Sequence, residues 1–305
     1  MTQEPVGFIG LGRMGLGMSK NLLKAGVPLV VHDVSAAPMQ ALAAKGASLA
    51  ADPADLTKSV KHLFICVPSE AEVEQVLFGD RGVAASKRTP TVVDTTTMNH
   101  GAAVRLAAQC HSVGLTYSDC PISGMPFRAE NGTLTMMFGG RPEIFAETKP
   151  YLDSMGEFIV HCGDVGMGQL MKAVNNIIYD VNIAAFCEVM PLAVKAGLAP
   201  EKLAAVLTSA SSRSFASEYF VPRILKGRFQ DDFSLKAAHK DIVNIEEVAA
   251  RLKTDLPVVK AMVSTYRKAI DMGFGDQPKS AMIKVYEALF NQEVRLPPSS
   301  NDEPN

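Results

Sequence analysis

Lys172 and Asn176 stand four residues apart in the segment Gly166-Met167-Gly168-Gln169-Leu170-Met171-Lys172-Ala173-Val174-Asn175-Asn176. Residues at that spacing share one face of a helix, so an amine and an amide address the same small volume. An amine exchanges a proton with a hydroxyl, and an amide holds that oxygen in place. Taken alone, the segment reads equally as a surface cation beside a polar face. Gly166 and Gly168 favour a site, because they permit close backbone approach just before the helix. A general acid or base works best with a pKa near the operating pH, whereas a free lysine titrates near about 10.4. The role therefore requires a lowered value, from desolvation or an adjacent positive charge.

A second constellation is Gly10-Leu11-Gly12-Arg13-Met14-Gly15. By itself Gly-x-Gly-x-x-Gly can mark an ordinary turn. Here it directly follows the apolar run Val6–Ile9 and opens a helical pattern near Met14, the context a dinucleotide site requires. The glycines let the backbone approach a pyrophosphate, and the helix N-terminus receives its charge. Asp33 follows Gly10 by 23 residues, at the end of a second apolar run. A carboxylate there accepts hydrogen bonds from an adenosine ribose. Its charge opposes a 2′-phosphate, and Val34, Ser35 and Ala36 supply no arginine to receive one, so NAD is expected over NADP. A nicotinamide carries the redox chemistry, leaving positioning and a proton acceptor to the protein. Paired with Lys172, the motif points to reversible oxidation of an alcohol.

Two further segments bear on the substrate. Asp119-Cys120-Pro121-Ile122-Ser123-Gly124 follows a strand pattern and then turns, so backbone N–H groups and the Ser123 hydroxyl are available to a carboxylate. An ordinary strand-ending turn has the same local sequence. Lys240, in His239-Lys240-Asp241, reads alone as a solvated charge. The six histidines (32, 62, 100, 111, 161, 239) lack metal-ligand spacing, and no Gly-x-Ser-x-Gly elbow supports a serine hydrolase.

The elements that must position these residues fall into two groups. A chain of 305 residues exceeds what one core of roughly 250–300 residues holds, so two domains are expected. The first part alternates apolar runs with helical patterns, as in a parallel sheet covered by helices. Strands are expected at Val6–Ile9, Leu29–His32, His62–Val67, Thr91–Asp94, Thr116–Asp119, Leu134–Phe138 and Phe158–His161. Helices are expected at Met14–Ala25, Ala71–Phe78 and Ala102–Val113. After Gly168 only helical spacing recurs: Leu170–Ala196, interrupted or bent near Pro191, then Glu201–Thr208, Leu235–Leu252, Pro257–Met272 and Ser280–Leu289. The fold class is therefore α/β, an N-terminal Rossmann-type doubly wound sheet followed by an all-α C-terminal domain. The boundaries are 1–164 for the nucleotide domain, 165–293 for the helical domain joined by a long helix, and 294–305 for a flexible tail.

A net charge of −2 with dispersed Lys and Arg gives no reason to propose nucleic acid. Five scattered cysteines, without a Cys-x-x-Cys pair, fit a reducing compartment. The most apolar stretch, near Ile177 to Val194, is broken by Asp180, Asn182 and Glu188 and reads as too polar for a membrane span. A cytoplasmic protein is expected.

Taken together, these motifs resemble the 3-hydroxyacid (β-hydroxyacid) dehydrogenase family, from Val6 to about Phe290. The resemblance rests on Gly7–Gly15, Asp119–Gly124, Gly132-Thr133-Leu134, the Gly166–Asn176 segment and Lys240-Asp241. It implies that Lys172 is the general acid/base, that Asn176 orients the substrate, and that Ser123 and Gly124 hold the substrate carboxylate. It also implies cofactor contacts at Gly10, Leu11, Gly12, Arg13, Met14, Gly15, Asp33, Val67, Pro68, Thr97 and Lys240. A small hydroxy acid is the implied substrate, in a homodimer or homotetramer. Met125 stands where the family often has glycine and reshapes the pocket wall. Arg128 and Arg213 are candidates to pair with a second acidic group on the substrate, although Arg128 reads more readily as a solvated loop residue. An imine reductase or oxidative decarboxylase on the same fold, or a non-catalytic NAD-binding module, are the competing readings.

Overall fold

Residues 4–86, 88–230, 233–242 and 244–296 are described in a computed structural model of the chain. They belong to two compact units, 1–172 and 173–305.

The first unit is built on a nine-stranded sheet. Its strands are β1 (Val6–Ile9), β2 (Leu29–His32), β3 (Ser48–Leu49), β4 (His62–Ile65), β5 (Thr91–Asp94), β6 (Thr116–Asp119), β7 (Ile122–Ser123), β8 (Leu134–Gly139) and β9 (Gly156–Gly163). The order is β3-β2-β1-β4-β5-β6-β8-β7, with β9 paired to β8. Strands β1 to β6 are parallel. Among the described residues seven α-helices accompany them: α1 (Gly15–Lys24), α2 (Ala36–Ala43), α3 (Pro53–Leu56), α4 (Glu70–Phe78), α5 (His100–Ser112), α6 (Pro126–Asn131) and α7 (Pro142–Met155).

Parallel strands covered on both faces read as unbroken apolar runs, and the burial follows. In β4, Phe64 enters one core with Val6, Phe8, Leu22 and Leu152. Its neighbours Leu63 and Ile65 enter the other, with Val73, Leu77 and Leu106. One departure from the expected parallel pattern is β8, which runs antiparallel to β6 and β7. A parallel return needs a crossover of about a dozen residues or more. Between β7 and β8 the chain has only the short α6 and its flanking turns, so it returns antiparallel.

The helix α8 (Met167–Lys195) starts in the first unit, and the second continues with α9 (Pro200–Leu207), α10 (Phe215–Leu225), α11 (Leu235–Ile242), α12 (Asn244–Arg251), α13 (Pro257–Ala269) and α14 (Ile283–Phe290). Of the interruption or bend expected near Pro191, the interruption does not occur, since the helix continues through Pro191. Among the described residues α8 is the one helix long and apolar enough to cross a bilayer. Its Ile183, Phe186, Cys187 and Met190 are instead core residues of the helical unit. Asp180, fully buried on the same helix, accepts a hydrogen bond from Tyr266 at 2.8 Å and pairs with Lys279 at 2.6 Å. A buried carboxylate so paired belongs to a protein core, since an uncompensated charge there costs several kcal/mol, on the order of 3–5.

Residues 294–296, expected to open a flexible tail, are tied to the helical unit. Val294 is fully buried and its N–H donates to Glu287, while the Leu296 N–H donates to the Leu225 carbonyl. The remaining tail residues, 297–305, lie outside the described residues.

Candidate active site

The chain order of β1 and β4 reverses direction across the sheet, and ligands in such sheets bind outside the carboxyl ends of the strands at that switch. The glycine turn stands there, directly after β1. Gly10 has φ +92°, and a Cβ on it would overlap the Cys66 carbonyl after β4. A Cβ on Gly15 would overlap the Gly10 carbonyl, whereas one on Gly12 would meet no protein atom within 4 Å. Two glycines thus close the turn, and the third leaves its outer side open for a ligand. No side chain caps α1, and its first turn holds no acidic residue, so the helix N-terminus is suited to an anion. Asp33 reaches back to the same turn: Oδ2 accepts from the Leu11 N–H at 2.6 Å and Oδ1 from the Ser35 N–H at 2.7 Å. Arg13 is exposed and Met14 half-buried at the mouth of the turn. These features fit a dinucleotide.

The loops after β4 and β5 flank this turn. The Val67 N–H donates to Thr96 Oγ1 at 3.1 Å, Pro68 is exposed, and Thr97 is half-exposed between the buried Thr96 and Met98. Asp94, at the end of β5, is fully buried; its carboxylate accepts from the Thr96 N–H at 2.9 Å and the Tyr117 hydroxyl at 2.8 Å. Burial pushes this carboxyl up to about 6, against those hydrogen bonds. A folded pKa above the unfolded value of about 3.9 adds stability that is complete at low pH and lost as pH rises through the folded value. Asparagine at this position can accept from Thr96 and donate to the Tyr117 oxygen. Asp94→Asn is therefore expected to melt at or above the wild type at about pH 8, with the difference shrinking toward about pH 5; a melting series across that range checks it.

Asp119 ends β6 in register with Asp94 on β5. Fully buried, it accepts from the Gly166 N–H at 2.6 Å and the Gln169 N–H at 2.8 Å, the first N–H groups of the α8 region. Burial pushes the Asp119 carboxyl up to about 7, opposed by those two donors and reinforced by Asp94. The approach is possible because Gly168 and Gly139 lack side chains. A Cβ on Gly168 would overlap the Met137 carbonyl and stand 2.7 Å from Asp119 Oδ2. Lys172 lies less than one turn further along α8, half-buried, and Asn176 one turn beyond it, also half-buried. Asn175 Nδ2 donates to Asn176 Oδ1 at 3.4 Å.

Ser123 is half-exposed at the end of β7, and Gly124 follows with φ +143°. The adjoining α6 is pinned to α1. Asn21 Nδ2 donates to the Ala129 carbonyl at 2.7 Å, Lys20 pairs with Glu130 at 2.8 Å, and a Cβ on Gly17 would crowd the Ala129 carbonyl. The Ser123 turn and the glycine turn are therefore held in one framework. Met125 is the half-buried N-cap of α6. Arg128 is engaged by Glu157 at 3.2 Å and Thr133 at 3.4 Å, and Arg213 by Glu218 at 3.2 Å. In the helical unit Lys240 is exposed on α11. Asp94, Asp119, Thr96 and Gln169 escaped the reading of the sequence as site residues. Their signal was present for Asp119 and Gln169, which lie inside motifs already singled out.

Residues 5–163 match the family described as the NAD binding domain of 6-phosphogluconate dehydrogenase. Residues 166–286 match the family described as NAD-binding of NADP-dependent 3-hydroxyisobutyrate dehydrogenase. The chain is 34% identical to 2-(hydroxymethyl)glutarate dehydrogenase of Eubacterium barkeri, over 95% of its own length and 97% of the relative's. It is similar to the crystal structure of 3-hydroxyisobutyrate dehydrogenase from Salmonella typhimurium, with a TM-score of 0.82, 29% identity, and coverage of 93% of this chain and 100% of that one. An imine reductase from Myxococcus stipitatus shares the fold, at a TM-score of 0.63 and 22% identity over 92% of this chain and 99% of that one. The chain is an oxidoreductase with NAD(P)-binding domains, and it belongs to the 3-hydroxyacid dehydrogenase family.

Proposed function

We propose that the protein oxidises a small 3-hydroxy acid to the matching 3-oxo acid or semialdehyde, reversibly, with Lys172 as general acid/base. The observation that carries this reading is the anchoring of Lys172: its helix starts on Asp119, at the end of the strand that leads into the Ser123 turn. A bound nicotinamide supplies the hydride acceptor. Gly10, Leu11, Gly12, Arg13, Met14, Gly15 and Asp33 hold the dinucleotide, with Val67, Pro68 and Thr97 along its flank and Lys240 as a further contact. Ser123 and the backbone at Gly124 bind the substrate carboxylate, and the Asn176 amide orients the substrate. Neutral Lys172 takes the hydroxyl proton during oxidation, and its ammonium form returns one during reduction.

Two features support NAD as the preferred cofactor. The Asp33 carboxylate is held at the glycine turn by two backbone donors, and the next side chain, Val34, is fully exposed and offers no cation. A 2′-phosphate beside that carboxylate meets like charge without a compensating arginine. A spectrophotometric screen of short 3-hydroxy acids with each cofactor tests the whole reading. Turnover with at least one such acid is expected, with kcat/KM for NAD at least about tenfold above NADP, equivalent to about 1.4 kcal/mol. Equal values with both cofactors would remove the NAD assignment, and no turnover of any such acid would remove the reaction.

The reading includes a cytoplasmic homodimer or homotetramer. The support for self-association is α8, where Val174 and Ile178, and again Val189 and Leu192, are exposed apolar residues at helical spacing. Solitary exposed apolar residues are ordinary, whereas a repeated stripe supports association with a second copy.

A further inference from the structure

The side chain of Gln169 is 1% exposed and makes two directed hydrogen bonds. Its Oε1 accepts from the Met98 N–H at 3.0 Å, and its Nε2 donates to the Thr96 carbonyl at 2.7 Å. Those two residues flank Thr97. The Gln169 backbone N–H meanwhile donates to Asp119. One residue therefore ties three things together: the end of β6, the loop after β5, and the first turn of the helix that carries Lys172 three residues later. The loop is itself braced, since Thr95 Oγ1 donates to the Ile65 carbonyl and Thr96 Oγ1 accepts from Val67. An amide is the side chain that satisfies this arrangement, because it must accept at one end and donate at the other.

We propose that Gln169, seated on Asp119, is a positioning residue that sets Lys172 and Thr97 in one fixed relation. It touches no reacting atom; it acts through the backbone of both segments. The inference rests on Lys172 being the general acid/base. Misplacing a reacting group by about 1 Å costs about 100-fold in rate, so a loosened Gln169 bridge lowers kcat more than it alters substrate KM.

Gln169→Glu supplies the deciding test. When protonated, the new carboxyl accepts from Met98 and donates to the Thr96 carbonyl, as the amide does. When ionised, it faces the Thr96 carbonyl with a second acceptor and the bridge opens. The ratio of variant to wild-type kcat is expected to fall at least about tenfold as pH rises from about 5.5 to about 9, a span covering a buried carboxyl's ionisation. Gln169→Ala is expected to lose at least about tenfold in kcat at every pH, as a buried donor and acceptor are left unpaired. Should that variant fail to fold, the Gln169→Glu profile carries the test alone. A ratio for Gln169→Glu that stays flat with pH overturns the proposal, whatever its height. Lys172→Ala run alongside separates the two levels. If it retains turnover, the acid/base assignment and the bridge's purpose both fail. If it is inactive while Gln169→Glu tracks the wild type, the bridge alone fails.

Discussion

Replacing Lys172 with alanine is expected to lower kcat by about 100- to 10,000-fold, the range that a positioned general acid or base contributes. Cofactor affinity is expected to stay within a few-fold of the wild type, because the glycine turn, Asp33 and the loops after β4 and β5 are untouched. The decisive companion is Lys172→Arg. A guanidinium keeps the positive charge but does not lose its proton near neutral pH, with a pKa above about 12. If Lys172 serves only as a fixed charge for an anionic substrate, arginine restores much of the rate. If it moves a proton, arginine is nearly as slow as alanine. Single-turnover measurement of reduced-nicotinamide formation, with cofactor titration by fluorescence, distinguishes these outcomes. A Lys172→Ala enzyme within tenfold of wild-type kcat removes the residue from the mechanism.

Gly168→Ala carries the second large effect. Inside a helix, alanine normally stabilises by about 1 kcal/mol relative to glycine. Here the added methyl would overlap the Met137 carbonyl and press on Asp119 Oδ2, both parts of buried backbone or buried carboxylate. Overpacking of that kind costs about 1–3 kcal/mol, and these neighbours have no free side-chain rotation with which to yield. The clash outweighs the helix gain. With the helix gain subtracted, a net cost of up to about 2 kcal/mol is expected to lower the melting temperature by up to about 8 °C, at about 2–4 °C per kcal/mol. A fall in kcat of tenfold or more is expected too, because the start of α8 must shift. Gly12→Ala is the contrast, since its methyl would meet no protein atom within 4 Å. It should melt near the wild type and raise the KM for the dinucleotide. Equal melting temperatures for Gly168→Ala and the wild type would contradict the packing described at Asp119.

Most strands were legible because sheets covered on both faces leave dense apolar runs; β1, β2 and β5 match their expected limits to the residue, as does β6 without such a run. The helix Pro142–Met155 was not legible. Its buried Ile144, Thr148, Tyr151, Leu152 and Met155 have helical spacing, but Pro150 within the span reads as a breaker. The same holds for Phe215–Leu225 with Pro222, capped by Ser214 and Ser217 instead of the more recognisable Ser and Glu pair. Around the proposed site, the glycine turn was legible because it follows a strand and opens a helix, and the Lys172 segment stood out only in combination with it. Gln169 was not, since its meaning lies in two carbonyl and amide groups about seventy positions earlier in the chain. Asp94 and Asp119 look like polite strand endings in sequence. Only the fold reveals that both are buried and adjacent in register.

The attachment of α8 at its first turn has a consequence for how this chain can vary. A helix advances by about 100° per residue, given 3.6 residues per turn. With the backbone of Gly166 and Gln169 fastened to Asp119, the azimuth of every later side chain is counted from that point. Deleting one residue between Gln169 and Lys172 would swing the amine about 100° around the axis, and Asn176 with it. The pair would stay one turn apart yet face elsewhere. If Lys172 and Asn176 act as proposed, length changes between positions 169 and 176 abolish activity. Asp119 acts as the zero mark of a rotary scale, and under the proposed mechanism the amine serves only at one reading on it.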